Sequence, residues 1–570
     1  MYGAISVVFC LPLFERPMGL GGNDWDQHLF YYAAVLKDIV EYGQAPFWNP
    51  WYCGGNVLWQ NPQVGLLSPV YPLALIMPLQ VAMKVNIVLH YWIGFVGMHV
   101  LLTRSIGLTF LPMVIYLSTL VTAAGAPAIH LAVGHSVFLP GFYLPVQIHF
   151  LFRALQGGAV RYALMASALL ALMVFNGGVH ILPLAFASIG VFALLSAIGT
   201  RQWRPLVITL VFVVAGLAYA APKLLPVSLF VTGERFWDTR NPTEHPDRMT
   251  LEMVARTYLD PTQGLRLTLD QQRHGWHEYG NYIGVFSTVL IVGGLLVALW
   301  GRGQTDAWFG RSLALTAIVL FLLSLGEFAT WAPASLATHL PLFSSFRIPS
   351  RYSIAFLLFA AMALAWTFRV FALETRGWPI RWAVAIVCLA AAMQIVSVNR
   401  GLLKGVFLGE PFDTTFHWMR GPHEVTTDTQ TSAYGRGSPM LRSVMNDRPF
   451  FYCYESLQLF RTATDAKDMV FTDGKSQLVD TRFTPNQLDF SVMGGAEASR
   501  VFLNYNWGPG WRSTAGALDA SSREVMASVL LAPGQTGRFS FSFTPPGLGA
   551  GTAVFVVALV LSAWLWRWEA

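Results

Sequence analysis

Charge is what this chain has least of: Asp, Glu, Lys and Arg make up 12% of its 570 residues, while 54% are hydrophobic. So small a polar share cannot cover a water-soluble globule, and a mean hydropathy of +0.48 excludes that class. A basic stripe is also missing. The formal charge is +6, but the Lys and Arg residues are scattered between apolar runs, which excludes a nucleic-acid partner and makes them topology signals. Cysteine is scarce: Cys10, Cys53, Cys388 and Cys453 show no metal-ligand spacing, and Cys53 with Cys453 forms a candidate disulfide outside the cytoplasm. The opening MYGAISVVFCLPLF lacks the basic region and cleavage site of a signal peptide. It is short for a span and reads as continuing a missing upstream stretch, with a tilted or thinned membrane contact as the alternative. No solenoid repeat or low-complexity tract is evident.

What is present is a series of apolar runs, each close to the roughly 20 residues needed to cross a bilayer. They fall near 2–14, 82–103, 109–128, 137–152, 162–176, 180–199, 205–229, 282–300, 312–331, 352–368, 382–398 and 549–566. Arg104, Arg153, Arg161, Arg201, Arg204, Arg302, Arg311, Arg369, Arg376, Arg381 and Arg567 occupy alternate connections, which places those connections in the cytoplasm. Residues 15–81, 231–281, 332–351 and 399–548 then lie outside. In the last piece, QLDFSVMG, RVFLNYNW and GRFSFSFTPP alternate apolar and polar residues between Gly, Pro and Asn, the pattern of a β-sandwich. The expected fold is a polytopic α-helical membrane protein of about 12 transmembrane helices. Residues 1–398 form the membrane domain, 399–548 an extracytoplasmic domain that is mainly β, and 549–570 a final helix with a cytoplasmic tail. Acidic side chains stay out of the middle of the spans, which disfavours ion-coupled transport.

The polar residues gather in the outer pieces. GGNDWDQHLFYYAAVLKDIVEYG brings Asp24 and Asp26 to the start of an amphipathic helix. Asp26 reads as a helix cap or as a general base, and the two carboxylates together as ligands for a divalent cation, Mg or Mn. PFWNPWYCGGNVLWQNPQ mixes Trp48, Trp51, Tyr52 and Trp59 with Asn49, Asn56, Gln60, Asn61 and Gln63. Flat apolar faces beside amides suit a sugar, and Trp and Tyr equally suit an interfacial belt. PLFSSFRIPSRY sets Arg347 and Arg351 on the outer face, where an anion gives them a use and a headgroup contact is the alternative. Lys84, Glu234, Arg235 and Glu278 lie near the same surface, while His90, inside a span, reads as a packing residue.

Three separated features, NDWDQ with WNPWYCGG and NPQ, then RIPSRY, then NYNWGPGW followed by LLAPGQTGRFSFSFTPP, carry a family likeness. In their order and spacing the chain resembles the YfhO-like bacterial membrane proteins, which belong with the GT-C glycosyltransferases. The resemblance implies a protein of the bacterial cytoplasmic (inner) membrane with its active face outside. It implies a polyprenyl-phosphate sugar as donor and an extracytoplasmic glycan, polymer, lipid or protein as acceptor, among membrane lipids. Asp26, expected directly before the helix, would be the general base, and Asp24 would orient it or hold a metal. Arg347, Arg351, Arg235 and Lys84 would face the donor phosphate. Trp48, Asn49, Trp51, Tyr52, Trp59, Gln60, Asn61 and Glu278 would line the substrate. Two other readings stand beside the enzyme: a non-catalytic scaffold or glycan-binding assembly factor, and a lipid or oligosaccharide transporter.

Overall fold

The computed structural model describes residues 1–22, 24–157, 159–232, 248–264, 275–300, 306–340, 343, 346, 348–371, 377–419, 421, 438–450, 463–464, 468–519 and 526–569. Arg235, Arg347 and Cys453 lie outside the described residues. Cys53 is held in a disulfide, and Cys10 and Cys388 are free and buried.

Among the described residues nine helices are long and apolar enough to cross a membrane, from Leu79–Ile106 to Leu548–Arg567, and Tyr2–Phe14 and Val160–Phe175 are shorter apolar helices. The expected span near 137–152 is split. A 3-10 stretch, Ser136–Tyr143, carries Pro140 and gives way to an α-helix at Leu144–Gly157. The helix expected to reach 331 ends at Ser324. Trp203, Trp300, Trp308, Trp378 and Trp382 are exposed at the ends where the arginines gather, as an aromatic belt requires. The chain is a multi-pass membrane protein.

The described parts of the long polar pieces meet one another: Leu20 bridges Gly409, and Glu278 pairs with Arg351. Strands occupy Val470–Thr472 (β3), Gln477–Thr484 (β4), Gln487–Met493 (β5), Ser499–Leu503 (β6), Trp511–Ser513 (β7), Ser528–Leu531 (β8) and Gly537–Phe543 (β9); Trp48–Asn49 (β1) and Asn56–Val57 (β2) pair in the first outer piece. Two antiparallel sheets, ordered β3-β6-β8 and β4-β5-β9-β7, form the C-terminal sandwich. Burial alternates along β5 and β6, as strands with one covered face demand.

The helix Asp24–Val40 lies between this domain and the bundle, and 15 of its 17 residues are buried. It was expected to be amphipathic. Its polar face is covered because the C-terminal domain packs over it: the short helix Pro439–Met445 lies against it, and Lys37 pairs with Glu41 at 3.1 Å and with Asp447 at 3.0 Å.

The first outer piece is also bolted to the bundle. In the helix Arg204–Val231, Pro226 has no N–H for the carbonyl of Pro222. Trp59 Nε1 donates to that carbonyl at 2.9 Å, Gln60 Nε2 donates to the Pro226 carbonyl at 3.3 Å, and Lys223 donates to the Val64 carbonyl. A freed carbonyl near lipid must find such a donor. Trp59→Phe keeps the ring and removes the donor, so melting in detergent should show a loss of about 1–3 kcal/mol. An unchanged melting temperature would mean that the Pro222 carbonyl finds another partner.

Candidate active site

The helix starts at Asp24, so Asp26 sits inside the first turn rather than directly before it. The two carboxylates meet different environments. Asp26 is 4% exposed, and its Oδ2 and Oδ1 accept the backbone N–H groups of Met440 and Leu441, each at 3.0 Å. It therefore caps a helix, but one in the C-terminal domain rather than its own. Burial pushes the Asp26 carboxyl up to about 6, against the pull of those two N–H groups and of Arg442.

Asp24, by contrast, has a side chain 28% exposed, and its Oδ2 lies 3.1 Å from His135 Nε2. His135 reaches it because Gly134, with φ of +110°, turns the chain sharply after the helix Gly125–Val133. A Cβ at Gly134 would stand 2.3 Å from the backbone nitrogen of Trp25, so only glycine permits this approach. Trp25 Nε1 fastens the same junction by donating to the Leu131 carbonyl at 2.8 Å.

Further histidines surround the contact. His135 Nδ1 lies 2.9 Å from His130 Nδ1. His28, one turn along from Asp24, is held down at about 4 by burial, with Asp24 pulling the other way, and so is neutral at physiological pH. His277 meets His135 edge-on at 6.2 Å and lies within electrostatic reach of Asp24, Glu278 and Arg351 together. Arg351 closes the cluster with a two-pronged bond to Glu278, Nε to Oε2 at 2.8 Å and Nη2 to Oε1 at 2.7 Å. This is the strong geometry for an Arg–carboxylate pair, and its burial makes removal of either partner costly.

The floor under these groups is Phe138. His130 stacks on it at 3.9 Å, His180 at 5.7 Å, and the Arg351 guanidinium lies over it at 5.2 Å. Phe138 also lines a small apolar cavity with Leu131, Gly94, Phe142, Ile181 and Leu358. Phe138 thus stands between the polar cluster and a small apolar cavity.

Of the residues singled out in the sequence, Asp24, Glu278 and Arg351 converge here. The other described ones lie elsewhere. Trp48 packs on Phe543 at 4.7 Å and Trp511 at 5.1 Å, inside the sandwich core. Trp51 meets Phe483, and Tyr52 meets Phe30 and Phe450. Asn49 and Asn61 accept backbone N–H groups from Trp51 and Gln63, and Trp59 and Gln60 serve the helix carbonyls described above. Lys84 donates to the carbonyls of Arg16, Pro17 and Gly19 at 2.7, 2.8 and 3.1 Å, stapling a loop. His90 is satisfied by the Asn86 carbonyl, Tyr143 and Asn176. Among the described residues no group of three His, Cys, Asp or Glu side chains is arranged to hold a metal, and Asp26 has both oxygens committed to the helix.

The histidines were missed, although a signal was present. Gly134-His135, Gly178-Val179-His180 and Trp276-His277 each put a histidine in or beside an outer connection, opposite the arginine-bearing ends. A raised Asp26 has a consequence for stability. Its contribution is fully present below about pH 3.9, the ordinary value, and is lost as pH rises through about 6. The melting temperature of the wild type, relative to Asp26→Asn, should therefore fall across that window, and a flat difference would contradict the burial argument.

Comparison with protein-family models finds no match. Comparison with the curated proteins finds none either. Among solved structures the chain is similar to arabinofuranosyltransferase AftD from Mycobacteria, at 15% identity and a TM-score of 0.45 over 71% of this chain and 27% of that one. A mutant of AftD gives 17% identity and a TM-score of 0.43 over 69% of this chain and 27% of that one in one class, and 16% and 0.43 over 70% and 28% in another. This chain therefore spans about a quarter of the length of that protein. A likeness this distant assigns neither a family nor an activity.

Proposed function

We propose that the protein is a membrane glycosyltransferase of the GT-C type, moving a sugar from a polyprenyl-phosphate donor to an acceptor hydroxyl on the extracytoplasmic face of a bacterial inner membrane. The observation that carries the reading is the meeting of Asp24 and Arg351 in one histidine-rich cluster floored by Phe138. A partly exposed carboxylate beside an arginine and several imidazoles suits an acceptor hydroxyl and a sugar phosphate. The family likeness in NDWDQ, RIPSRY and NYNWGPGW points the same way.

In this reading Asp24, not Asp26, is the general base. A carboxylate with solvent access can meet an acceptor, whereas Asp26 has both oxygens on backbone N–H groups. Asp24 takes the proton of the acceptor hydroxyl as its oxygen bonds to the anomeric carbon. The bond from that carbon to the phosphate oxygen breaks, and the electron pair leaves with the lipid phosphate, inverting the configuration. Arg351 uses two of its five N–H donors on Glu278, so its charge is already balanced and its remaining donors face the growing negative charge as hydrogen-bonding groups. No step is routed through a cation. One observation favours a second reading, a glycan-binding scaffold: Trp48 and Trp51 are buried against the sandwich rather than facing the cluster.

The test is turnover of a panel of polyprenyl-phosphate sugars by the purified chain. Asp24→Asn should lose at least ~100-fold in kcat with its melting temperature unchanged, given the usual size of general-base effects. Asp26→Ala should lose about 1–2 kcal/mol of stability, as a removed helix cap does, while keeping turnover where it folds. The reverse pattern would return the base to Asp26, and no turnover with any donor would favour the scaffold.

A further inference from the structure

We infer that His135 is a positioning residue for Asp24, locked into one tautomer by His130; the inference rests on the reading of Asp24 as the base. A neutral imidazole has one N–H and one bare nitrogen, and a carboxylate only accepts. Since His135 Nε2 faces Asp24 Oδ2 at 3.1 Å, the proton belongs on Nε2. His135 Nδ1 is then bare and needs a donor, and the group 2.9 Å away is His130 Nδ1. The only neutral arrangement that satisfies both contacts has His130 protonated on Nδ1 and His135 on Nε2. The opposite arrangement sets a lone pair against a carboxylate.

The backbone builds this chain deliberately tight. The His135 N–H donates to the His130 carbonyl at 3.0 Å and Gly134 N–H to the same carbonyl at 3.2 Å, which holds the two rings 5.2 Å apart. His130 is 1% exposed and nearly parallel to Phe138, so it cannot swing away. The chain therefore runs from a fixed interior ring, through a half-buried one, to the carboxylate at the rim. Asp24 occupies the first position of its helix, and the His135 contact is one of the interactions that hold its carboxylate. A carboxylate has about four lone-pair sites, so a bond to one oxygen orients the group and leaves capacity to take a proton. Loss of such an orienting contact misplaces a base by an ångström or so, which costs on the order of 100-fold in rate.

Two measurements on the full chain in lipid nanodiscs test this. The first is the 15N spectrum of histidine-labelled protein, with His135 assigned by its disappearance in His135→Gln. The expected result is a proton on Nε2 and none on Nδ1, with a clear shift of the His135 signals in Asp24→Asn; a proton on Nδ1, or signals indifferent to Asp24→Asn, overturns the inference. This reading needs no substrate, so it stands or falls even if no sugar donor is turned over and the transfer reading fails. The second is kinetics. His135→Ala should lower kcat roughly 10–100-fold with donor KM within about twofold, and His135→Gln, which keeps an N–H donor, should recover part of it. Undiminished kcat in a folded His135→Ala overturns the positioning role, and so does a His135→Gln no better than His135→Ala.

Discussion

A polar helix held where neither water nor lipid reaches it must have each of its charges answered by a neighbour or neutralised, because an unpaired buried charge costs several kcal/mol. The helix Asp24–Val40 is in that position, and its answers define the rest of the molecule. Lys37 is met by Glu41 and Asp447, Asp26 by the start of the helix Pro439–Met445, and Asp24 by His135, while burial pushes the Asp38 carboxyl well up and keeps it neutral. Two of these partners belong to the C-terminal domain and one to the membrane bundle. The helix is thus the piece through which the sandwich and the bundle are registered to each other.

The same economy of charge governs the cleft. Arg351 and Glu278 neutralise each other at the end of the bundle, and His28 is held neutral by burial. What remains near the rim is one carboxylate backed by imidazoles. Such a site presents weak fields and many hydrogen-bonding groups. Phe138 separates it from a small apolar cavity. Around the site, the aromatic and amide residues of the first outer piece act as mortar. Trp48 completes the sandwich core and Trp59 serves a helix carbonyl that a proline leaves without its N–H.

Much of the architecture was legible along the chain. The spans could be read because a bilayer imposes a length of apolar sequence that needs no partner to recognise. The strands could be read because a half-covered sheet imposes alternation. The charged residues were legible as a set, with Asp24, Glu278 and Arg351 all named. The division of labour between the two aspartates was not, because the groups that occupy Asp26 lie 414 and 415 residues away. The WNPWYCGG segment looked like a binding surface for the same reason: its flat rings face the sandwich, which is distant in sequence. His135 was overlooked because the recurrence of histidines in separate outer connections does not say which one meets a carboxylate; its meaning depends on Gly134 bringing it against a helix start some 110 positions earlier.

By itself, then, the sequence determined that this chain lives in a membrane, crosses it many times, and carries a β domain near its C-terminus. Those conclusions follow from solvent: water and hydrocarbon each select residues locally, one segment at a time. Which aspartate is capped by backbone N–H groups, which arginine is already neutralised, and which rings are packing were decided only in three dimensions. A carboxylate's role is set by what lies within about 3 Å of its oxygens, and here those neighbours come from turns and helices that folding, not sequence proximity, brings together.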